Sequence, residues 1–236
     1  MQKVFIETSR TQAFMEAAHD VTDVENGTTG LMMTWGIAGY GKTKCAKKYC
    51  VDSGSLYIRI SNGWSPRAML QHICRALNGM EPGLVDRAKS IIEEEFDTGS
   101  IPALVIDEAS RLTINHIEHF RDLFDNTGTP TILVGEPDIY SRVVGHAPLK
   151  RRIRRYVEFG PATVEDTIIY GIKCFNIKLE PEAAILMHKL SNGNLGYLET
   201  YMYALRKQTR KAGVNKANRD MVAQIPPQVK EVTIVK

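Results

Sequence analysis

Gly36-Ile37-Ala38-Gly39-Tyr40-Gly41-Lys42-Thr43 satisfies the phosphate-binding pattern G-x-x-x-x-G-K-[ST] at every fixed position. Leu31 to Trp35, just before it, reads as a short buried strand, and Lys42 to Val51, just after it, as a helix. Glycines in such a turn let the backbone wrap closely round a polyphosphate, while the amides and the helix N-terminus supply positive potential. In that pattern Lys42 reaches the β- and γ-phosphates and Thr43 offers a hydroxyl to Mg²⁺. Gly36 to Thr43, with Lys44 following, is therefore a candidate cradle for a nucleoside triphosphate.

Apolar strands alternate with amphipathic helices on either side of this loop. The strands are expected at Leu31–Trp35, Leu56–Ile60, Ala103–Ile106, Thr131–Val134 and Tyr156–Phe159. Helices are expected near Phe14 to Val21, Pro66–Leu77, Val85–Asp97, Ile114–Asp125 and Pro137–Val144, Pro66 standing at a first helical position, where a missing amide proton costs nothing. The pattern predicts an α/β fold, an αβα sandwich on a mainly parallel five-stranded sheet. It stops at Gly160-Pro161, and Val164–Phe175, Glu182–Ser191 and Tyr197–Lys211 read as helix only. The expected organisation is an N-terminal helical segment (1–25), a nucleotide-binding domain (26–160), a small all-helical lid (161–224) and a tail (225–236) in which Val229–Val235 is strand-like.

The 236 residues carry a net charge of +3 and 43% hydrophobic residues, enough for a real core and mildly favourable to nucleic acid. Met1 to Arg10 lacks an apolar signal region, and no window approaches eighteen consecutive apolar residues, so a cytoplasmic protein without membrane contact is expected. Cys45, Cys50, Cys74 and Cys174 show no C-x-x-C pairing, and reduced thiols are the expectation.

Ala103-Leu104-Val105-Ile106-Asp107-Glu108 places two carboxylates at the end of a buried strand, the edge of a parallel sheet from which the phosphate loop also emerges. Asp107 would hold Mg²⁺ through water, and Glu108 would polarise the attacking water. Lys150, Arg151, Arg152, Arg154 and Arg155 crowd the segment before the last strand, and such a run needs an anionic partner. A solvated face, a nucleic-acid contact and an arginine finger to an adjacent subunit's γ-phosphate all answer to it.

The phosphate loop, Asp107-Glu108, the run Thr131-Ile132-Leu133-Val134-Gly135-Glu136-Pro137-Asp138-Ile139, Leu149-Lys150-Arg151-Arg152-Ile153 and Gly193-Asn194-Leu195-Gly196 together resemble an AAA+ ATPase. The likeness spans Val24 to Ala212 and is strongest to the branch holding the Mu B transposition protein, the TnsC and TniB target selectors and the ExeA-type secretion ATPases. It implies ATP hydrolysis at subunit interfaces of a ring or helical filament, with Arg152 or Arg151 as the finger. Two sensor positions depart from that pattern. One, usually a polar donor, falls on Gly135 or Glu136; the other, often an arginine, falls near Gly196, with Tyr197 next. Slow hydrolysis, stimulated by a partner, is the expectation.

Arg59-Ile60-Ser61-Asn62-Gly63-Trp64-Ser65-Pro66-Arg67 mixes cations, small donors and one aromatic, and the resemblance puts this region in the pore of a helical assembly, along DNA. Arg59, Asn62, Ser65 and Arg67 are candidate phosphate contacts. The competing reading is that Ser65-Pro66 starts a helix and Trp64 packs in the core. Arg206, Lys207, Arg210 and Lys211 share one helix face, which serves either DNA phosphates or the helix dipole. His116-Ile117-Glu118-His119 lacks metal spacing and reads as surface helix, and Tyr197 and Tyr201 read as lid packing. Asn215-Lys216-Ala217-Asn218 imitates a guanine-reading motif without its strand or final Asp, leaving ATP as the expected nucleotide.

The expected function is an ATP- and Mg²⁺-dependent ATPase that assembles on double-stranded DNA with little sequence preference and presents a target to a transposase. The alternatives are an ExeA-like or helicase-loader ATPase acting on a protein partner without DNA, and a monomeric switch.

Overall fold

The computed structural model describes residues 5–23, 25 and 30–226, so the strand-like tail expected at Val229–Val235 lies outside the described residues. The chain divides into two compact units. One comprises Ser9–Ala38 and Lys42–Phe159; the other comprises the segment ending at Thr8, the loop crest Gly39–Gly41 and the residues from Gly160 onward.

The larger unit is built on five parallel strands, β1 (Leu31–Gly36), β2 (Leu56–Arg59), β3 (Leu104–Asp107), β4 (Thr131–Gly135) and β5 (Ile153–Phe159), in the order β2-β3-β4-β1-β5. Every residue of β3 and β4 is buried, as expected of central strands covered on both faces. Helices α1 (Ser9–Thr22), α2 (Lys42–Ser53), α3 (Pro66–Asn78), α4 (Val85–Asp97), α5 (Ile114–Thr127), α6 (Pro137–Val144) and α7 (Ala147–Arg152) surround the sheet. Phe14 of α1 meets Tyr49 of α2 and Phe159 of β5 edge-on, with ring centroids 6.0 and 6.1 Å away. Leu70, Ile73, Ile92, Phe120 and Leu133 belong to one continuous buried cluster. Truncating Leu133 to Ala in the middle of that cluster would cost about 2–5 kcal/mol.

Because β4 lies between β1 and β3, the phosphate loop and Asp107 leave the same sheet edge about 10 Å, or two strand spacings, apart. The register sets Trp35 opposite Gly135, Asp107 opposite Val134 and Arg59 opposite Asp107. Five strand ends therefore supply one row of loops, the crevice at which open α/β sheets bind ligands.

One local structure departs from the expected pattern, and another follows the competing reading of the segment before α3. Ala147–Arg152 forms a short helix with Pro148 in its first turn, too brief to show a period, and β5 begins at Ile153, so Arg154 and Arg155 lie within the strand. Ser65 caps α3, its Oγ accepting from the Ala68 amide at 3.2 Å, and Trp64 stacks on His72 with centroids 4.0 Å apart.

In the smaller unit, α8 (Val164–Tyr170) is followed by a wider π-helical turn, Gly171–Phe175, and then α9 (Pro181–Ser191), α10 (Leu195–Lys211) and α11 (Arg219–Ala223). Two strands of two residues, β6 (Lys178–Leu179) and β7 (Lys216–Ala217), pair in parallel among these helices. Lys216 and Ala217 of the guanine-like motif thus form a strand, and Asn218 caps α11 through the Met221 amide at 3.0 Å. Tyr201, Leu198, Met202 and Leu205 of α10 and Met187 of α9 fill the core of this unit, while Tyr197 is 47% exposed.

Candidate nucleotide site

Leu31 to Thr34 bring β1 through the core, and the chain emerges at Gly36, where a Cβ would stand 2.3 Å from the Phe159 carbonyl oxygen. Ile37, Ala38 and Gly39 are exposed, and the loop re-enters at Gly41, whose φ of 95° favours glycine, before α2 begins at Lys42. The first-turn amides of α2 have no partners within the helix and so project positive potential at this point. Lys42 is buried, and its Nζ donates to the carbonyl oxygens of Gly36 at 2.5 Å and Ile37 at 3.0 Å. Burial lowers the pKa of its ammonium, opposed by the negative charges of Glu136, Asp107 and Glu108, in that order. Thr43 follows, half-buried, and Lys44 is exposed.

Asp107 closes β3 with 3% of its surface exposed; its Oδ1 accepts the Glu108 amide at 2.9 Å and its Oδ2 the Tyr57 hydroxyl at 2.6 Å. Glu108 takes a left-handed conformation, φ 61°, uncommon for a side-chain-bearing residue. That turn starts a 3₁₀ helix, Ala109–Arg111, and holds the Glu108 carboxylate between two guanidiniums. Arg59 Nη2 lies 2.9 Å from Oε1 and Arg111 Nη2 3.3 Å from Oε2. Arg111 also donates through Nη1 to the Ile60 carbonyl at 2.9 Å, tying the 3₁₀ turn to the loop after β2.

The third strand end is locked just as closely. The Glu136 amide donates to Ser110 Oγ at 2.5 Å, and a Cβ on Gly135 would approach that oxygen to 2.6 Å. Arg142 from α6 donates to the carbonyls of Leu112 at 2.5 Å and Ser110 at 2.6 Å and pairs with Asp138 at 3.0 Å. Gly135 thus fits against the turn carrying Arg111, and Glu136, of the expected sensor pair, presents a carboxylate whose charge acts on Lys42. Lys42, Thr43, Asp107 and Glu108 converge at one sheet edge with a glycine turn, a helix start, a cation and a fixed carboxylate, which suits a polyphosphate accompanied by a divalent cation.

Residues 25–143 match the AAA domain family, half of the chain. The chain belongs to the AAA domain family. It is thereby a P-loop, nucleotide-hydrolysing ATPase fold, and the expected likeness to the Mu B branch is borne out in a relative. The chain is 23% identical over 195 residues to the Mu-like prophage FluMu DNA transposition protein B of Haemophilus influenzae, covering 77% of this chain and 66% of that one. It therefore spans just under two thirds of that relative's length. The Thermotoga maritima RuvB Holliday junction branch migration motor superposes with a TM-score of 0.62 at 19% identity, over 93% of this chain and 68% of RuvB. The Aeropyrum pernix ORC2 protein, solved in ADPNP-ADP complexes, superposes with a TM-score of 0.67 at 14% identity, over 94% of this chain and 69% of its own. These likenesses establish the fold.

The remaining expected site residues separate by environment. Arg152 is gripped by Asp125, Nε to Oδ1 at 2.8 Å and Nη2 to Oδ2 at 3.0 Å, and Arg155 pairs with Asp20 at 2.8 Å. Arg151 is exposed at the end of α7, with no acid within ion-pair distance among the described residues. Asn62 and Arg67 are exposed, Ser65 is a helix cap, and Arg59 is 56% exposed while paired to Glu108. Lys207, Arg210 and Lys211 are exposed on α10, and Arg206 is half-buried.

His116 is not a surface residue. It is 6% exposed, closes a capping box with Thr113 and meets the Trp64 carbonyl through Nε2 at 3.0 Å. No cluster of metal-ligating side chains occurs among the described residues, and no described helix is long and apolar enough to cross a membrane. Burial pushes the thiols of Cys45 and Cys50 up to about 12, leaving them chemically quiet near neutral pH. Tyr57, Ser110, Arg111 and Arg142 escaped sequence reasoning. Only the strand alternation that sets Tyr57 on the side of Arg59 gave any sign of them.

Proposed function

We propose that this protein is an ATP-dependent, DNA-binding ATPase that oligomerises on double-stranded DNA with little sequence preference and serves as target selector and activator for a transposase. The observation that carries the reading is the ion pair between Arg59 and Glu108 at 2.9 Å. A carboxylate with a guanidinium at each oxygen has fewer lone pairs and less room for a water, so basal hydrolysis is slow. Arg59 also stands two residues before the exposed Ser61-Asn62-Gly63 turn, where a DNA phosphate would compete for it. DNA would thus free Glu108 and speed hydrolysis. The name of the FluMu relative, a DNA transposition protein, supports the same direction.

The roles follow from position. Lys42 and the amides from Gly36 to Lys44 hold the triphosphate, Thr43 and Asp107 hold Mg²⁺, and Glu108 polarises water. Arg151, which Asp125 leaves alone, reaches the neighbouring subunit's nucleotide, and Arg152 supports it. Exposed Asn62 and Arg67 join Arg59 along the phosphate backbone, and exposed Arg210 is a separate candidate phosphate contact on the smaller unit. The division into a nucleotide-binding domain (26–160) and a lid (161–224), and a cytoplasmic, DNA-associated location, belong to the same proposal. The runner-up, an ATPase that scaffolds a protein partner without DNA, draws support from the capping role of Ser65 and the packed Trp64.

The test is ATP turnover against duplex concentration at two salt levels. Stimulation by unrelated duplexes, lost in Arg59→Ala and weakening steeply from 50 to 200 mM salt, is the expected result. Turnover indifferent to DNA would hand the case to the protein-scaffold reading.

A further inference from the structure

Asp107 is almost fully buried, yet one of its two carboxylate oxygens meets a side chain that the phosphate-site pattern does not include. Tyr57 lies on β2, two residues before Arg59 and on the same side, beside Val105 of β3. Its hydroxyl donates to Asp107 Oδ2 at 2.6 Å, while the Glu108 amide donates to Oδ1 at 2.9 Å. Over the face of the ring, Lys47 Nζ stands 5.3 Å from the ring centroid. Lys47 is one turn beyond Thr43 on α2, so Tyr57 sits between the helix that carries the threonine and the strand that carries the aspartate.

An aspartate carboxylate rotates readily about its last torsion. Two donors on two different oxygens remove that freedom, and a hydroxyl at this distance to an ionised oxygen is a strong, charge-assisted bond. Magnesium demands near-ideal octahedral geometry and gives up water reluctantly, so the direction in which a carboxylate presents its remaining lone pairs governs how well it is held.

We propose that Tyr57 is a positioning residue for the divalent cation of the nucleotide site, its hydroxyl fixing the orientation in which Asp107 meets the hydrated metal. The proposal rests on the reading of Asp107 as the residue that holds Mg²⁺. It assigns Tyr57 no contact with nucleotide and no part in proton transfer.

The experiment is Tyr57→Phe in the full chain, which keeps the ring and its contact with Lys47 and removes only the hydroxyl. Binding of a fluorescent ATP analogue is measured in EDTA and across a Mg²⁺ titration, with thermal melting alongside. The expected result is a half-saturating Mg²⁺ concentration raised about tenfold, the usual scale for losing an outer partner of a metal ligand, with binding in EDTA changed less than about twofold. An unchanged Mg²⁺ midpoint overturns the proposal. Lys47→Met separates hydroxyl from ring packing: it should leave the midpoint alone, and a shift equal to that of Tyr57→Phe overturns the assignment to the hydroxyl. Asp107→Asn tests the underlying reading separately. Should that variant keep the wild-type Mg²⁺ midpoint, Asp107 is not the metal residue; should it lose the dependence while Tyr57→Phe keeps it, the positioning role alone fails.

Discussion

Adding one methyl group to Gly135 tests how tightly this sheet edge is built. Gly135 is not among the positive-φ glycines, so Ala meets no backbone penalty there and the effect is one of contact alone. The new Cβ would lie 2.6 Å from Ser110 Oγ, 3.1 Å from Ser110 N and 3.1 Å from Ile139 Cγ2. Overpacking of this kind costs about 1–3 kcal/mol. Pushing Ser110 Oγ aside also breaks its bond with the Glu136 amide, worth about 1 kcal/mol. The stiffer unfolded chain returns roughly 0.5 kcal/mol, so Gly135→Ala should lose about 1.5–3.5 kcal/mol. Ser110→Ala alone should lose about 1 kcal/mol, since Glu136 is exposed and water can take over its amide. In the double variant the missing oxygen makes room for the methyl, and the two losses should fall short of additivity by about 1–2 kcal/mol. Urea unfolding at unchanged m-value measures all three. Strict additivity would refute the reasoning, because Ser110 Oγ would then not be the atom in the way.

Lys42→Ala should abolish nucleotide binding in a fluorescence titration, whereas Glu108→Gln should retain binding and accumulate the ATP-bound state in single-turnover assays. Arg151→Ala should remove the hydrolysis that depends on protein concentration and leave the monomer's melting point unchanged. Arg152→Ala should instead lower the melting point by loosening α7 from Asp125, and loss of concentration-dependent turnover in that variant alone would reverse the two roles.

The elements that were legible in the sequence are those whose signal is long or punctuated. Strands β1 to β4 are short, largely apolar runs, and their ends came within two residues of expectation. Helix α4 at Val85–Asp97 and helix α6 at Pro137–Val144 were placed to the residue. The phosphate loop was legible because its chemistry demands particular residue types at fixed spacing. What stayed hidden depends on neighbours distant in sequence. Tyr57 and Asp107 are fifty residues apart and meet only because β2 pairs with β3. Arg142 looks like an ordinary surface cation on α6, yet it holds the turn after Asp107 from thirty residues away. His116 reads as solvent-facing on its helix and is buried because Trp64 and the N-cap fold over it. The arginine run gave no sign of which member was free, since that turns on Asp125 and Asp20.

Arg59 cannot serve Glu108 and a DNA phosphate fully at once, and this competition makes the two ligands of the proposed ATPase thermodynamically linked. If DNA, by taking Arg59, favours the state in which Glu108 is free, then a change that breaks the pair while leaving Arg59 in place must raise DNA affinity. Glu108→Gln removes the charge that binds Arg59 at 2.9 Å while keeping the shape of the side chain. Duplex affinity of that variant should therefore rise even without nucleotide, and a tenfold rise would correspond to about 1.4 kcal/mol of coupling. The same substitution also removes one negative charge from the surface, which alone would favour any polyanion. Repeating it in an Arg59→Ala background separates the two causes, because the general charge effect survives there and the specific competition does not. Equal tightening in both backgrounds, measured by fluorescence anisotropy at fixed salt, would mean that Arg59 does not connect DNA to the hydrolytic carboxylate.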